Sequence, residues 1–341
     1  MDMKASAGRA GRPVTRMAAT VAAALAFVAL PTSASAGTLA VTGDVHLRYT
    51  AAPGERNDVT VTADGAMVTL VDAGAPTVAG EGCTGGGAAG APVTCSRSAP
   101  FVFLALELGD EADTGDTTEL DPASGVGVRV EAGRGADLVH GGAGADNVLP
   151  GNGADRILGG AGNDSWAQDA RRPDGGDFFD GGAGHDSAQY DTRYRVRLDV
   201  DGRANDGGRR ERDNIADVET AFVGPKADDM SGDADDQIFG EGDGDGSIRG
   251  RAGADRLFGD YGDDRVSGGD GDDFIEGGPG RDVLLGGSGD DVINAKKGTL
   301  SDASGRDRVD CGPGEDAVVI NRGDRVRDCE RVQRAQPRER A

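Results

Sequence analysis

The residues with the plainest chemistry are aspartates that recur every nine positions. From Glu241 to Asn294 the chain reads EGDGDGSIR, GRAGADRLF, GDYGDDRVS, GGDGDDFIE, GGPGRDVLL, GGSGDDVIN, six nonapeptides in one register. Asp255, Asp264, Asp273, Asp282 and Asp291 hold the sixth position, and Gly246 replaces the Asp in the first unit. Two units make a coil of 18 residues, so Asp255, Asp273 and Asp291 should line one edge and Asp264 and Asp282 the other. Stacked strands lie about 4.8 Å apart. Carboxylates that close repel by roughly 3 kcal/mol per pair at an effective dielectric of about 20. A cation is needed between them. Carboxylate and turn carbonyl oxygens are the hard donors that Ca²⁺ takes in large number and loose geometry.

The backbone that carries them follows from the other positions of the unit. Gly244, Gly253, Gly262, Gly271, Gly280 and Gly289 all stand fourth, and Ile248, Leu257, Val266, Ile275, Leu284 and Ile293 all stand eighth. Six glycine-rich residues favour a turn, and the last three a short strand whose alternation sends the eighth side chain inward. One such strand has no stability alone. Stacked units build a narrow continuous core from their aliphatics.

A second array precedes this one, as AGRGADLVH, GGAGADNVL, PGNGADRIL and GGAGNDSWA, with sixth-position Asp137, Asp146, Asp155 and Asp164 and inward Val139, Val148, Ile157 and Trp166. The lone Trp is thus expected to pack. Gln168–Arg171 interrupts the count, and weaker units follow with Asp177 and Asp186. Tyr190 to Val223 breaks the repeat and is expected to be an excursion that packs back on the coil. Weak units resume as VGPKADDMS and SGDADDQIF with Asp228 and Asp236, Gly240 then adding one residue. After a seven-residue insertion, Ala295–Ser301, the register returns with Asp307 and Asp316. The missing carboxylate at Gly246 should weaken that site or shift it onto Asp245.

Composition bounds the function. The chain carries a net charge of −24, which disfavours nucleic acid and anionic membrane surfaces. Residues 1–36 have basic Lys4, Arg9, Arg12 and Arg16, an apolar run from Met17 to Leu30, and Ala34-Ser35-Ala36, the pattern of a secretory signal peptide. A membrane-tethered N-terminus is the alternative, although the run is short for a bilayer span. Residues 37–122 hold short alternating strands such as Val45–Tyr49, Val59–Ala63 and Met67–Val71, a β-rich cap. Cys83 and Cys95 flank a Gly/Ala loop, and Cys311 and Cys329 lie one coil length apart. Four cysteines allow three connectivities; the local pairs are expected as disulfides, as export permits, with free thiols the alternative.

The nonapeptides resemble those of the hemolysin-type calcium-binding, or repeats-in-toxin, proteins, and the NDG…DNI…VE pattern between the arrays and the terminal DCGPGED…DCE pattern resemble actinobacterial secreted members. The resemblance implies an all-β parallel β-roll, or β-helix solenoid, with several Ca²⁺ ions held between successive turns by turn carbonyls and sixth-position Asp side chains. The expected ligands are Asp137, Asp146, Asp155, Asp164, Asp177, Asp186, Asp228, Asp236, Asp255, Asp264, Asp273, Asp282 and Asp291. The expected organisation is a signal peptide (1–36), cap (37–122), first array (123–189), excursion (190–223), second array (224–294), terminal coils (295–330) and a frayed tail (331–341).

No H-E-x-x-H or G-x-S-x-G is present, and His46, His140 and His185 do not cluster by spacing. The reading is a secreted calcium-binding protein with no catalytic domain, a structural or interaction module without a membrane anchor after processing and with a protein or polysaccharide partner left open. The alternative is a polysaccharide-active parallel β-helix enzyme stabilised by calcium, which would need an aromatic, carboxylate-rich groove.

Overall fold

The computed structural model describes residues 36–42, 46–96, 98, 101–120, 126–168, 175–209, 211–226, 228–240, 242–296 and 305–335. Residues 1–35 of the segment expected to be a signal peptide lie outside them, as do parts of the two insertions and the tail beyond 335. Every regular element among the described residues is a strand, and no helix is long and apolar enough to cross a membrane.

The chain winds as a parallel β-roll with one continuous face and one divided face. The continuous face runs from His46–Thr50 through Phe103–Glu107, Gly127–Gly135 and Asp146–Gly153 to Val292–Asn294, Ala317–Ile320 and Arg331–Arg334, in parallel register throughout. Arg331–Arg334 is therefore the last rung of that face rather than a frayed tail, although its four side chains are exposed. The cap region supplies the first rungs. Asp58–Asp64 pairs in parallel with Thr114–Asp116, which pairs with Leu138–Gly142, so the coil starts before the first nonapeptide.

The opposite face breaks at the excursion. Its first half ends where Phe178–Ala183 pairs with Asn214–Ala216, and its second half begins where Val196–Asp199 pairs with Asp229–Ser231. From Tyr190 the chain lays down a strand of the next sheet, makes an antiparallel pairing at Gly207–Gly208, and returns to finish the earlier coil at Ile215 and Ala221. An antiparallel bridge between Asp201 and Ala216 joins the two halves.

Inside, one column of side chains fills each face. Ile248, Val266, Leu284 and Val309 stack on one side and Leu257, Ile275, Ile293 and Val318 on the other, each no more than 3% exposed. Trp166 does pack, with its ring 6.1 Å from Phe179 and 4.8 Å from Tyr190, and the small Ala188 opposite it in the next coil makes room. Both local disulfides are present, Cys83–Cys95 and Cys311–Cys329, the second joining adjacent coils across a Cα–Cα distance of 5.1 Å.

At Gly253, Gly262, Gly271, Gly280 and Gly289 the turns stack closely enough to exclude a side chain at the fourth position of the unit. Gly271 has φ +134°, and a Cβ there would overlap the Gly253 carbonyl of the coil before. That repeated glycine is a steric requirement of the stack, beyond its freedom to turn.

Candidate metal centres along the turn edges

Within a unit the strand alternation turns three positions inward: the sixth, the eighth and the first of the next unit. Asp255, Leu257 and Gly259 show this, as do Asp273, Ile275 and Gly277. The sixth-position aspartates therefore enter the roll instead of pointing to water. Twelve of the thirteen expected ligands, all except Asp236, are at most 2% exposed.

Apart from Asp146, whose two oxygens are both unpartnered, each buried carboxylate is fixed by the coil before it. The N–H of Asp137 donates to Asp155 Oδ1 at 2.8 Å, that of Asp155 to Asp177 Oδ1 at 2.9 Å, and that of Asp255 to Asp273 Oδ1 at 2.9 Å. On the other edge the N–H of Asp146 donates to Asp164 Oδ1 at 2.8 Å and that of Asp264 to Asp282 Oδ1 at 3.1 Å. The sequence separation is 18 in a regular coil, 22 across the first insertion and 25 across the second. Equivalent aspartates thus line the same edge at every turn, as the nonapeptide count requires.

The second carboxylate oxygen is where the chemistry remains open. Oδ2 of Asp137, Asp146, Asp164, Asp186, Asp228, Asp255, Asp264, Asp273 and Asp291 is buried without a hydrogen-bond partner. An unpaired buried acceptor of this kind costs about 1–3 kcal/mol, and more when charged. The Oδ2 atoms of Asp146, Asp164, Asp186, Asp255, Asp264, Asp273 and Asp291 point to first-position glycines. A Cβ on Gly159 would lie 2.5 Å from Asp164 Oδ2 and 2.6 Å from the Gly181 carbonyl oxygen of the next coil. One on Gly259 would lie 2.9 Å from Asp264 Oδ2 and 2.8 Å from the Gly277 carbonyl oxygen. A carboxylate and a main-chain carbonyl from successive coils therefore converge where glycine leaves out a side chain. Among the described residues no three His, Cys, Asp or Glu side chains gather into a cage, so the donor set is one carboxylate with main-chain carbonyls. Such an all-oxygen set fits Ca²⁺ and suits zinc poorly.

Burial dominates the electrostatics of these groups. It pushes Asp137, Asp164, Asp228, Asp255 and Asp273 up to about 6, and Asp146, Asp264 and Asp291 up to about 7. Hydrogen bonds from the preceding coil pull several of them back down, and neighbouring carboxylates add to the rise, Asp273 acting on Asp291 and Asp164 on Asp146. Burial thus makes the charged form of each costlier than in a hydrated carboxylate.

The structure corrects one expected ligand. Asp236 is exposed, and its carboxylate accepts the N–H of Ala254 on the outside of the turn. Gln237 takes the inward slot, its N–H donating to Asp255 Oδ1 at 2.8 Å, with Phe239 in the core. The unit is Gly232–Gly240, with no added residue; sharing Ser231 between two units shifts the count by one. Gly246 leaves its slot without a carboxylate, and Asp245 does not replace it, since Asp245 is exposed and accepts the N–H of Asp263.

Other occupants of the slot lie outside the nonapeptides. Asp113 accepts the N–H of Asn57 at 2.7 Å, Asp213 that of Asp177 at 2.9 Å, and Glu219 that of Asp186 at 2.6 Å. Asp316, in the returning register, and Glu330, beyond it, continue the ladder at the end, accepting from Asp291 and Asp316 at 2.9 and 3.0 Å. The shared signal is an acid two residues before an inward residue, as in Asp213-Asn214-Ile215 and Glu219-Thr220-Ala221.

Four copies of the RTX calcium-binding nonapeptide repeat match the chain, over residues 129–157, 242–275 and 267–299. No curated protein matches it.

Proposed function

From the premise that the chain carries RTX calcium-binding nonapeptide repeats on a β-roll, we propose that it is a secreted, non-catalytic module whose folding is coupled to calcium. The observation that carries this reading is the file of buried Oδ2 atoms without partners, repeated coil after coil beside main-chain carbonyls. In the unfolded chain these carboxylates are hydrated, whereas in the stack they lose water and regain at most one hydrogen bond each from the coil before. Bound Ca²⁺ would supply the missing positive charge between coils. A ligand that binds the folded state alone stabilises it by mass action, at each of the repeated positions.

Export is supported by the basic, apolar and small-residue pattern of residues 1–36, and by two disulfides of the kind that persist in oxidising compartments. The ligands proposed are Asp137, Asp146, Asp155, Asp164, Asp177, Asp186, Asp228, Asp255, Asp264, Asp273, Asp282 and Asp291, with the turn carbonyls beside them.

The test is circular dichroism of the purified chain in chelator and then in millimolar Ca²⁺. A β signal that appears or sharpens with calcium, and fails to do so with Mg²⁺, is the expected result. An identical spectrum and identical thermal midpoint in both would overturn the coupling. Sequencing the N-terminus of protein recovered from culture medium tests export, with Gly37 as the expected first residue.

A further inference from the structure

The outer surface of the last coils carries positive charge that the calcium edges do not explain. Arg308 and Arg325 are direct register partners on adjacent parallel strands, with Val283 next in the same column. Arg281 and Arg306 stand two residues ahead of Val283 and Arg308, and all four arginines are exposed. Together with Asp282, Val283 and Asp307 they line an open concavity of about 400 Å³. Among the described residues the ion pairs on this side of the roll involve Arg195, Arg197, Arg251 and Arg327, and none of these four. The nearby acids are engaged elsewhere: Asp310 with Arg327, Asp263 with the Arg281 N–H, and Asp324 with the N–H groups of Asp307 and Asn321.

Like charges directly opposite on neighbouring strands are destabilising. A chain of net charge −24 has ample acid to neutralise them, yet here four guanidinium groups meet around one hollow. We propose that this hollow binds an acidic polysaccharide through its carboxylate or sulfate groups. Each guanidinium offers a planar fork of donors that matches an oxyanion in two-point contact. An anion seated between Arg308 and Arg325 relieves their repulsion. Val283, in register between Arg265 and Arg308, lines the hollow and offers aliphatic surface to sugar C–H groups. Nucleic acid fits less well, because the overall negative charge repels a dense phosphate backbone and this face has no aromatic platform for bases.

The test titrates the full-length, disulfide-intact, calcium-loaded chain with dextran sulfate, polygalacturonate, neutral dextran and a DNA duplex, with free calcium held constant. Binding to dextran sulfate or polygalacturonate, absent with neutral dextran, is expected, and which of the two binds names the anionic group. The Arg308→Ala/Arg325→Ala pair should weaken it by about tenfold or more, as loss of charge-assisted hydrogen bonds implies. Arg129→Ala, remote and already paired with Glu131, should leave it unchanged. The proposal is overturned if neither acidic polymer exceeds neutral dextran, if both variants behave alike, or if DNA binds more tightly. Calcium titration of the same variants should match wild type, so failure here leaves the calcium reading standing, and the reverse.

Discussion

The N–H of Asp255 donates to Asp273 Oδ1 at 2.9 Å, and Asp273 Oδ2, buried beside it, has no hydrogen-bond partner. One oxygen of the carboxylate holds two coils in register while the other is left for a ligand. Structural and binding roles thus sit on separate atoms of a single side chain.

Substitution can separate them. Asp273→Asn keeps an acceptor for the Asp255 N–H and removes the charge, so the metal-free protein should lose little stability while calcium binding at that turn is lost. Asp273→Ala removes both and should destabilise the metal-free stack by about 1–3 kcal/mol as well. Calcium stoichiometry and chelator-state urea midpoints for the two variants check this, and equal stability losses would refute the division of roles.

The pH dependence has a defined sign in the absence of metal. Asp255 and Asp273 titrate near 6, and Asp264 and Asp291 near 7, all above the ordinary carboxylate range. The folded state binds protons more tightly than the unfolded one, so this contribution is fully present below about pH 4 and is lost as pH rises through 6 to 7. In chelator the thermal midpoint should be higher at pH 5 than at pH 7.5. With saturating calcium the trend should invert, since protons compete with the ion for the same oxygens.

Gly271→Ala tests the close approach of turns. Its Cβ would meet the Gly253 carbonyl at a φ of +134°, where side chains are rarely accommodated. A loss above about 2 kcal/mol in the urea midpoint, with or without calcium, is expected.

Gln237 occupies a slot where the neighbouring coils carry Glu219 and Asp255, and its amide nitrogen donates to Asp233 Oδ1 at 2.6 Å. Gln237→Asp should restore a carboxylate beside Gly232 and the Gly250 carbonyl, and raise the number of calcium ions bound by one. An unchanged stoichiometry would show that the turn there is closed to the ion.

Replacing Cys311 and Cys329 together by Ser opens a staple between the last coils. For a loop of 18 residues the loss should be about 3 kcal/mol. Hydrogen exchange should report it most strongly in Ala317–Ile320 and Arg325–Arg327, leaving the central array protected.

Much of this was legible because the interactions that define a unit lie within the unit. Gly271, Asp273 and Ile275 declare a turn, a slot and a core position without reference to any distant residue. The 18-residue coil follows from counting, and the spacing of Cys311 and Cys329 agrees with it. The failures arise where counting is not unique. Two adjacent acids, Asp235 and Asp236, precede Gln237, and only the packing of Phe239 inward, with Ile238 outward, selects the register. A slip of one residue would reverse every side chain of that strand.

The sequence by itself determined the roll, its period and the file of aspartates on each edge, because these depend on local conformational preference repeated many times. Tertiary structure alone decided where the coil begins, how one face divides at Val196–Asp199, and that Asp113, Asp213 and Glu219 complete the ladders. Those residues belong to no repeat, and their place is set by strand pairing across 24 to 56 positions of sequence. Such pairing depends on which edge is free when the chain returns, and no local preference encodes that.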